Sequence, residues 1–227
     1  MKRLLCFAFV YVLYFSDTLA QEFSGSFDLV STQLYQNGNE RIDTISYYFS
    51  NEKTAILIHG RRNNPGLRMI FNPEDSTITS LFELNGKKGG FILPMDEDHW
   101  PGLPQSNRPH NTTPSKKLNY TGKEKVISGF PCKEVLAEND DYSAILWITE
   151  AIPLSMTRVL SYQSVGKGKS KKEIELFDRF GIDKLPLDLF LKSKKEMADV
   201  KLRLINFNQV IDDEIFSTEG HSLSKVD

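Results

Sequence analysis

The chain has 227 residues, with 28 Lys and Arg against 30 Asp and Glu, for a net charge of −2. So even a balance excludes the basic surface that a nucleic-acid partner requires. With 40% hydrophobic residues and only 2 cysteines, the fold is expected to rest on apolar burial and not on a disulfide scaffold.

Residues 1–20 are predicted to be a cleaved secretion signal. Lys2 and Arg3 form a basic start, residues 4–15 an apolar run, and Thr18-Leu19-Ala20 places small residues where a signal peptidase reads. The run is about 12 residues long, well short of the ~20 that span a bilayer, so no membrane anchor is expected after cleavage. Gln21 stands where a lipoprotein would need cysteine, and Cys6 lies inside the run. Cys132 then remains as a lone thiol, and its neighbours Phe130 and Val135 mark it as a buried structural residue.

From residue 23 to 94 the sequence reads as strands and tight turns. Residues 23–31, 42–50, 54–59, 67–72, 77–84 and 88–94 show the two-residue period of strands. Asn37-Gly38, Asn51-Glu52, Pro73-Glu74-Asp75 and Asn85-Gly86 are the turns between them. Residues 95–115 are rich in proline and carboxylates and read as a long irregular loop. Strands resume at 119–127, 132–137 and 143–149. Two helices are predicted, over 172–180 from Ile174, Phe177 and Phe180, and over 186–198 from the starting Pro186 with Leu189, Phe190 and Met197. Residues 199–208 form the clearest alternating strand, and 214–218 is read as one more. Short connections favour antiparallel pairing. The expected fold is therefore mainly β: a single domain over 21–227, with one curved antiparallel sheet or half-barrel and one or two covering helices.

Few residues carry recognisable chemistry. The four histidines, His59, His99, His110 and His221, show no ligand spacing. The run Asp96-Glu97-Asp98-His99 matches neither a calcium-loop nor a zinc pattern, so no metal site is expected. No nucleophile elbow, phosphate loop or dinucleotide fingerprint occurs, so neither a cofactor nor catalytic residues are expected and the protein reads as a non-enzyme. Asn111-Thr112-Thr113 and Asn119-Tyr120-Thr121 match the N-glycan acceptor pattern and are read as polar loop sequence. Trp147 reads most simply as a core residue. Trp100 sits in the long loop, where it either caps an apolar pocket or packs down on the domain.

One stretch carries a resemblance. Thr121-Gly122-Lys123, Ile127, Gly129-Phe130-x-Cys132-Lys133 and then Leu146-Trp147-Ile148-Thr149 resemble a family of exported bacterial proteins known only as domain of unknown function forty-four twelve. Phe23-Ser24-Gly25, Met69-Ile70-Phe71, Asp75-Ser76-Thr77 and Phe216-Ser217-Thr218 fit it in outline, whereas the loop at 96–115 and the stretch 167–195 depart from it. That family is similar to the periplasmic lipoprotein-carrier group, LolA/LolB-like. The resemblance implies a periplasmic half-barrel that holds lipid or a lipoprotein acyl chain on a helix-roofed apolar face. The candidate pocket residues are Ile56, Ile58, Phe71, Trp100 and Trp147. Strand patterning leaves open whether that face is hollow or filled. Two other readings stand beside the carrier: an adaptor that binds another cell-envelope protein, and a hydrolase with scattered catalytic residues.

Overall fold

The computed structural model describes residues 23–60, 66–108, 118–169 and 171–226, with nothing described for the side chain of Glu173. The predicted signal, His110 and the first glycan-like motif lie outside the described residues.

Two meanders of strands make one sheet. The first runs β1 (Gly25–Leu34), β2 (Glu40–Phe49), β3 (Thr54–Ile58), β4 (Leu67–Asn72), β5 (Thr77–Leu84) and β6 (Lys87–Pro94). The second runs β7 (Asn119–Ile127), β8 (Phe130–Glu138), β9 (Tyr142–Thr149), β10 (Leu185–Ser193) and β11 (Asp199–Asn208). β1 pairs antiparallel with β11, from Ser26↔Asn208 to Leu34↔Asp199, and so fuses the two halves. A last strand, β12 (Ser222–Lys225), lies parallel to β6. The result is an open 12-stranded sheet, ordered β12-β6-β5-β4-β3-β2-β1-β11-β10-β9-β8-β7. The mainly β class, the open sheet and the helical cover expected from the sequence are what the structure shows. The pairing is antiparallel except for β12.

Three short helices pack on one face: α1 (Leu103–Ser106), α2 (Met156–Ser161) and α3 (Lys172–Phe180). α2 starts at Ser155, whose hydroxyl accepts the Arg158 N–H, and so satisfies an orphan donor of the first turn. α3 stops at Gly181, whose φ of 71° is a left-handed cap that glycine adopts at little cost. α3 turns Ile174, Phe177 and Phe180 inward, as its helical spacing predicts.

Register decides which strand residues face the helices. Leu204↔Leu29↔Ile45↔Ile58↔Leu67 forms one cross-strand row. Phe27↔Tyr47↔Ile56↔Met69 forms the next, and Phe49↔Thr54↔Phe71↔Ile78 the third. These rows, with Leu146, Leu189 and Leu202 from the second meander, share a single hydrophobic core with α2 and α3.

Three local readings are corrected. Residues 186–198 are not a helix: 185–193 is β10, with Leu185, Leu187, Leu189 and Leu191 all buried at a two-residue period. Pairing between β9 and β11 outweighs the helix-start signal of Pro186, which sits at the register shift where β10 bulges against β9. Residues 214–218 are not a strand, because Asp213–Phe216 is a 3-10 turn begun by the Asp212 carboxylate. Residues 95–115 are not wholly irregular, because α1 lies within them.

Leu189 is 1% exposed at the middle of the sheet, whereas Val126 on the edge strand β7 is 71% exposed. Leu189→Ala is expected to lower the unfolding free energy by about 2–5 kcal/mol. Val126→Ser is expected to change it by less than about 0.5 kcal/mol. Urea titration of the two variants checks both values.

Candidate functional site

The register places Ile58, Ile56 and Phe71 on successive rows of the helix-covered face. Trp100 reaches the same place from the loop after β6. Its ring lies 4.7 Å from Phe71 and 5.3 Å from Tyr162, and Tyr162 packs edge-on to Phe71 at 4.8 Å. Phe49, Tyr47 and Phe27 extend this aromatic layer along the sheet. Of the two fates open to Trp100, its ring takes the inward one and is 2% exposed. Its indole N–H donates to the Ser161 carbonyl at 2.8 Å, so the buried ring leaves no polar group unpaired.

Trp147 is not with them. It pairs across the strands with Glu134 and Asp188, on the outer face, and alternates with the inward Leu146 and Ile148. It is half-buried there, with the Lys125 ammonium 4.0 Å above its ring and held toward the Asp188 carboxylate at 3.5 Å. Four of the five candidate residues therefore line one face, and the fifth serves a charged patch on the other.

The inner face is filled by its own side chains in the described residues. Ile152, Leu154, Met156, Val159, Ile174 and Phe177 come down from the helical side, each at 1% exposure or less. Few polar bonds join the cover to the sheet. Gln163 donates through Nε2 to the Tyr47 hydroxyl at 2.5 Å, and Thr54 donates to the Tyr162 hydroxyl at 3.4 Å. Burial raises the Tyr47 phenol well above its ordinary pKa and keeps it neutral, which suits a hydroxyl that accepts from an amide.

The Trp100 loop has its own fastening. Asp96 Oδ1 accepts from the His99 backbone N–H at 2.9 Å and lies 2.8 Å from His99 Nδ1. The His99 carbonyl accepts from Gly166 N–H at 2.7 Å, which ties the loop to the segment after α2. The acidic run thus caps a turn: Asp96 is spent on His99, and Glu97 reaches Lys171 at 3.8 Å. Among the described residues no three His, Cys, Asp or Glu side chains converge as a metal set would.

Cys132 is buried, and desolvation raises its thiol pKa, as expected of a structural cysteine.

Sequence reading misses one cluster. On the outer face the Ser46 hydroxyl donates to Asp28 Oδ1 at 2.5 Å and lies 2.8 Å from His59 Nε2, while Asn206 donates to Asp28 Oδ2. Residues 13 and 18 apart in sequence are brought together by the pairing Asp28↔Ser46, which no local motif signals. The order is wrong for acyl transfer. A relay needs the imidazole between serine and carboxylate, whereas here the serine sits between the other two.

A second surface lies on the outer face. Leu136, Ile145 and Phe190 stand side by side across β8, β9 and β10. They line a groove of about 550 Å³, with Asn119 and Lys192 at its margins. Leu136 and Ile145 are 40% and 42% exposed, and β7, beside them, is the last strand of the sheet among the described residues.

The geometry defines an open, mainly antiparallel sheet with a helical cover over one face. No family model matches the chain, and no curated protein matches it either. Solved structures do. It is similar to PNGF-II, at 10% identity and a TM-score of 0.40, over 89% of this chain and 31% of that one, so the present chain spans about a third of its length. It is also similar to an uncharacterized conserved protein of Thermus thermophilus, at 9% identity and a TM-score of 0.41, over 90% and 92% of the two chains. A LolA superfamily protein of Nitrosomonas europaea is similar at 10% identity and a TM-score of 0.35, over 87% and 93%. Likeness at this level says nothing of what this chain binds.

The Asp96–His99 fastening gives an acid response. Hydrogen bonds from the His99 backbone and ring hold the Asp96 carboxyl below its ordinary pKa. A lowered carboxyl pKa stabilises the fold above the unfolded value of about 3.9 and loses that contribution as pH falls through the folded value. Below about pH 4 the Trp100 loop is expected to loosen. Trp100 fluorescence, read in a Trp147→Phe background, is then expected to shift to the red, and Asp96→Asn is expected to flatten that response.

Proposed function

We propose that this protein is a non-enzymatic, periplasmic binding protein that holds a hydrophobic ligand, such as lipid or a lipoprotein acyl chain, between its sheet and its helices. One observation carries the reading. The layer between Phe71 and α2 is closed by Trp100, an aromatic supplied by a loop with its own fastening and not by the sheet or a core helix. A loop-borne plug can leave without unfolding the strands beneath it. An acyl chain of matching width restores the apolar contacts that Trp100 gives up, so exchange of plug for ligand is near balance, whereas an empty slot is not. Because the face is filled in this state, binding proceeds by displacement. The polar groups at the slot, on Tyr47, Thr54 and Gln163, are few and already paired, as an apolar ligand requires. Export through the predicted signal would deliver the chain to the compartment where such a carrier works.

Trp100→Ala is expected to lower stability by about 3–5 kcal/mol. It is also expected to raise the uptake of an apolar fluorescent probe several-fold, and native mass spectrometry of the protein from the periplasm is expected to show co-purifying lipid. A protein free of lipid, with a Trp100→Ala variant that takes up no more probe than the parent, overturns the reading.

A second reading rests on the outer groove. Exposed Leu136 and Ile145, next to β7 at the end of the described sheet, are the features that a partner strand or helix from an envelope protein would cover. In-cell crosslinking of the parent, of a Leu136→Asp/Ile145→Asp variant and of a variant lacking residues 96–115 distinguishes the two. Loss of one defined crosslinked partner in the groove variant, with no lipid bound by the parent, favours the adaptor.

A further inference from the structure

The Trp100 loop is held at its far end as well as at its base. From Trp100 to Arg108 the chain is one hydrogen-bonded run. The Leu103 N–H donates to the Trp100 carbonyl at 2.9 Å, Asn107 N–H to the Leu103 carbonyl at 3.4 Å, and Arg108 N–H to the Gln105 carbonyl at 3.3 Å. α1 therefore joins the indole to Arg108 as a short arm. Gly102 lets the arm sit close on α2: a Cβ there would collide with the Ser161 carbonyl, which also accepts from the Trp100 indole. At the end of the arm, Arg108 donates from Nη1 to Asp178 Oδ1 at 2.7 Å and from Nη2 to Asp178 Oδ2 at 3.1 Å. Asp178 Oδ1 also accepts from the buried Thr157 hydroxyl at 3.2 Å. One carboxylate of α3 thus meets the Trp100 arm and α2 together. Asp178 stands in the last turn of α3, where the helix dipole disfavours negative charge, and the Arg108 guanidinium offsets that.

We propose that Arg108 and Asp178 form a latch that holds the Trp100 loop shut over the apolar slot, so that charge competition at this pair sets how often the slot opens. The inference rests on the reading of Trp100 as a displaceable plug. The pair is built to be broken. Its side chains are 42% and 31% exposed, so salt screens it and a solvent ion can take either partner. It is also built to re-form in one geometry, because both guanidinium nitrogens meet both carboxylate oxygens. α3 does not depend on it, since Ile174, Phe177 and Phe180 remain buried in the core. Opening the latch therefore frees the arm and leaves α3 seated.

The test uses the full chain in a Trp147→Phe background, with acrylamide quenching of Trp100 fluorescence as the readout. Arg108→Gln leaves the Thr157–Asp178 bond in place and is expected to raise the quenching constant about two- to fivefold. Sodium chloride at about 0.5 M is expected to raise quenching in the parent and to add little in Arg108→Gln. Hydrogen exchange in β10 is followed alongside and is expected to stay unchanged. Unaltered Trp100 quenching in Arg108→Gln overturns the latch. So does a rise matched by faster exchange in β10, because the whole fold has then loosened. Should Arg108→Gln fail to fold, the parent decides: quenching that does not respond to salt overturns the latch. If quenching rises in Arg108→Gln while uptake of an apolar fluorescent probe does not, the latch stands and the plug reading falls.

Discussion

The pairing of β1 with β11 joins the two meanders into one sheet. Residues 25–34 meet 199–208 across almost the whole chain, and the other strands extend outward from that seam on both sides, with α2 and α3 inserted between β9 and β10. Without it there are two meanders, each with an apolar face too narrow to support a helical cover. With it, Leu146, Leu189 and Leu202 of one half join Phe71 of the other in one core cluster, and the helices have a floor. Such a long-range contact makes folding slow and leaves strand edges exposed until late.

The floor and cover meet in an aromatic layer, and its chemistry explains the division of labour in the molecule. Among the described residues the polar groups of Tyr47, Thr54, Tyr162 and Gln163 pair with one another, and the rest of the interface is mainly apolar burial, which is non-directional and tolerates exchange of one apolar occupant for another. Trp100 is brought to that layer by the loop after β6. The outer face is organised differently: Asp28, Ser46, His59, Lys125, Glu134 and Asp188 form hydrogen bonds and ion pairs there, and Arg68 holds the C-terminal segment.

Much of the fold is legible because strands with one buried face write their period into the sequence. Residues 67–72, 77–84, 119–127 and 199–208 match β4, β5, β7 and β11, and 172–180 matches α3. β10 is disguised because Pro186 and the lysines at 192, 194 and 195 imitate a helix. Its true signal is the alternation of Leu185, Leu187, Leu189 and Leu191, which only the flanking strands make decisive. The site is less legible. Ile56, Ile58 and Phe71 share a face through register, which their own strands carry. Trp147 lies in a strand that is apolar on both sides, so periodicity alone does not say which side the helices take. The Ser46–His59–Asp28 cluster arises from pairing between β1 and β2 and from the end of β3, and local sequence holds no trace of it.

The most direct measurement is a crystal structure of the protein purified from its native source with whatever it carries. An apolar ligand is expected between Phe71 and α2, with Trp100 withdrawn from its place against Tyr162 and the strands unmoved. Trp100 still seated on Phe71, together with a bound partner on the Leu136–Ile145–Phe190 groove, would contradict it.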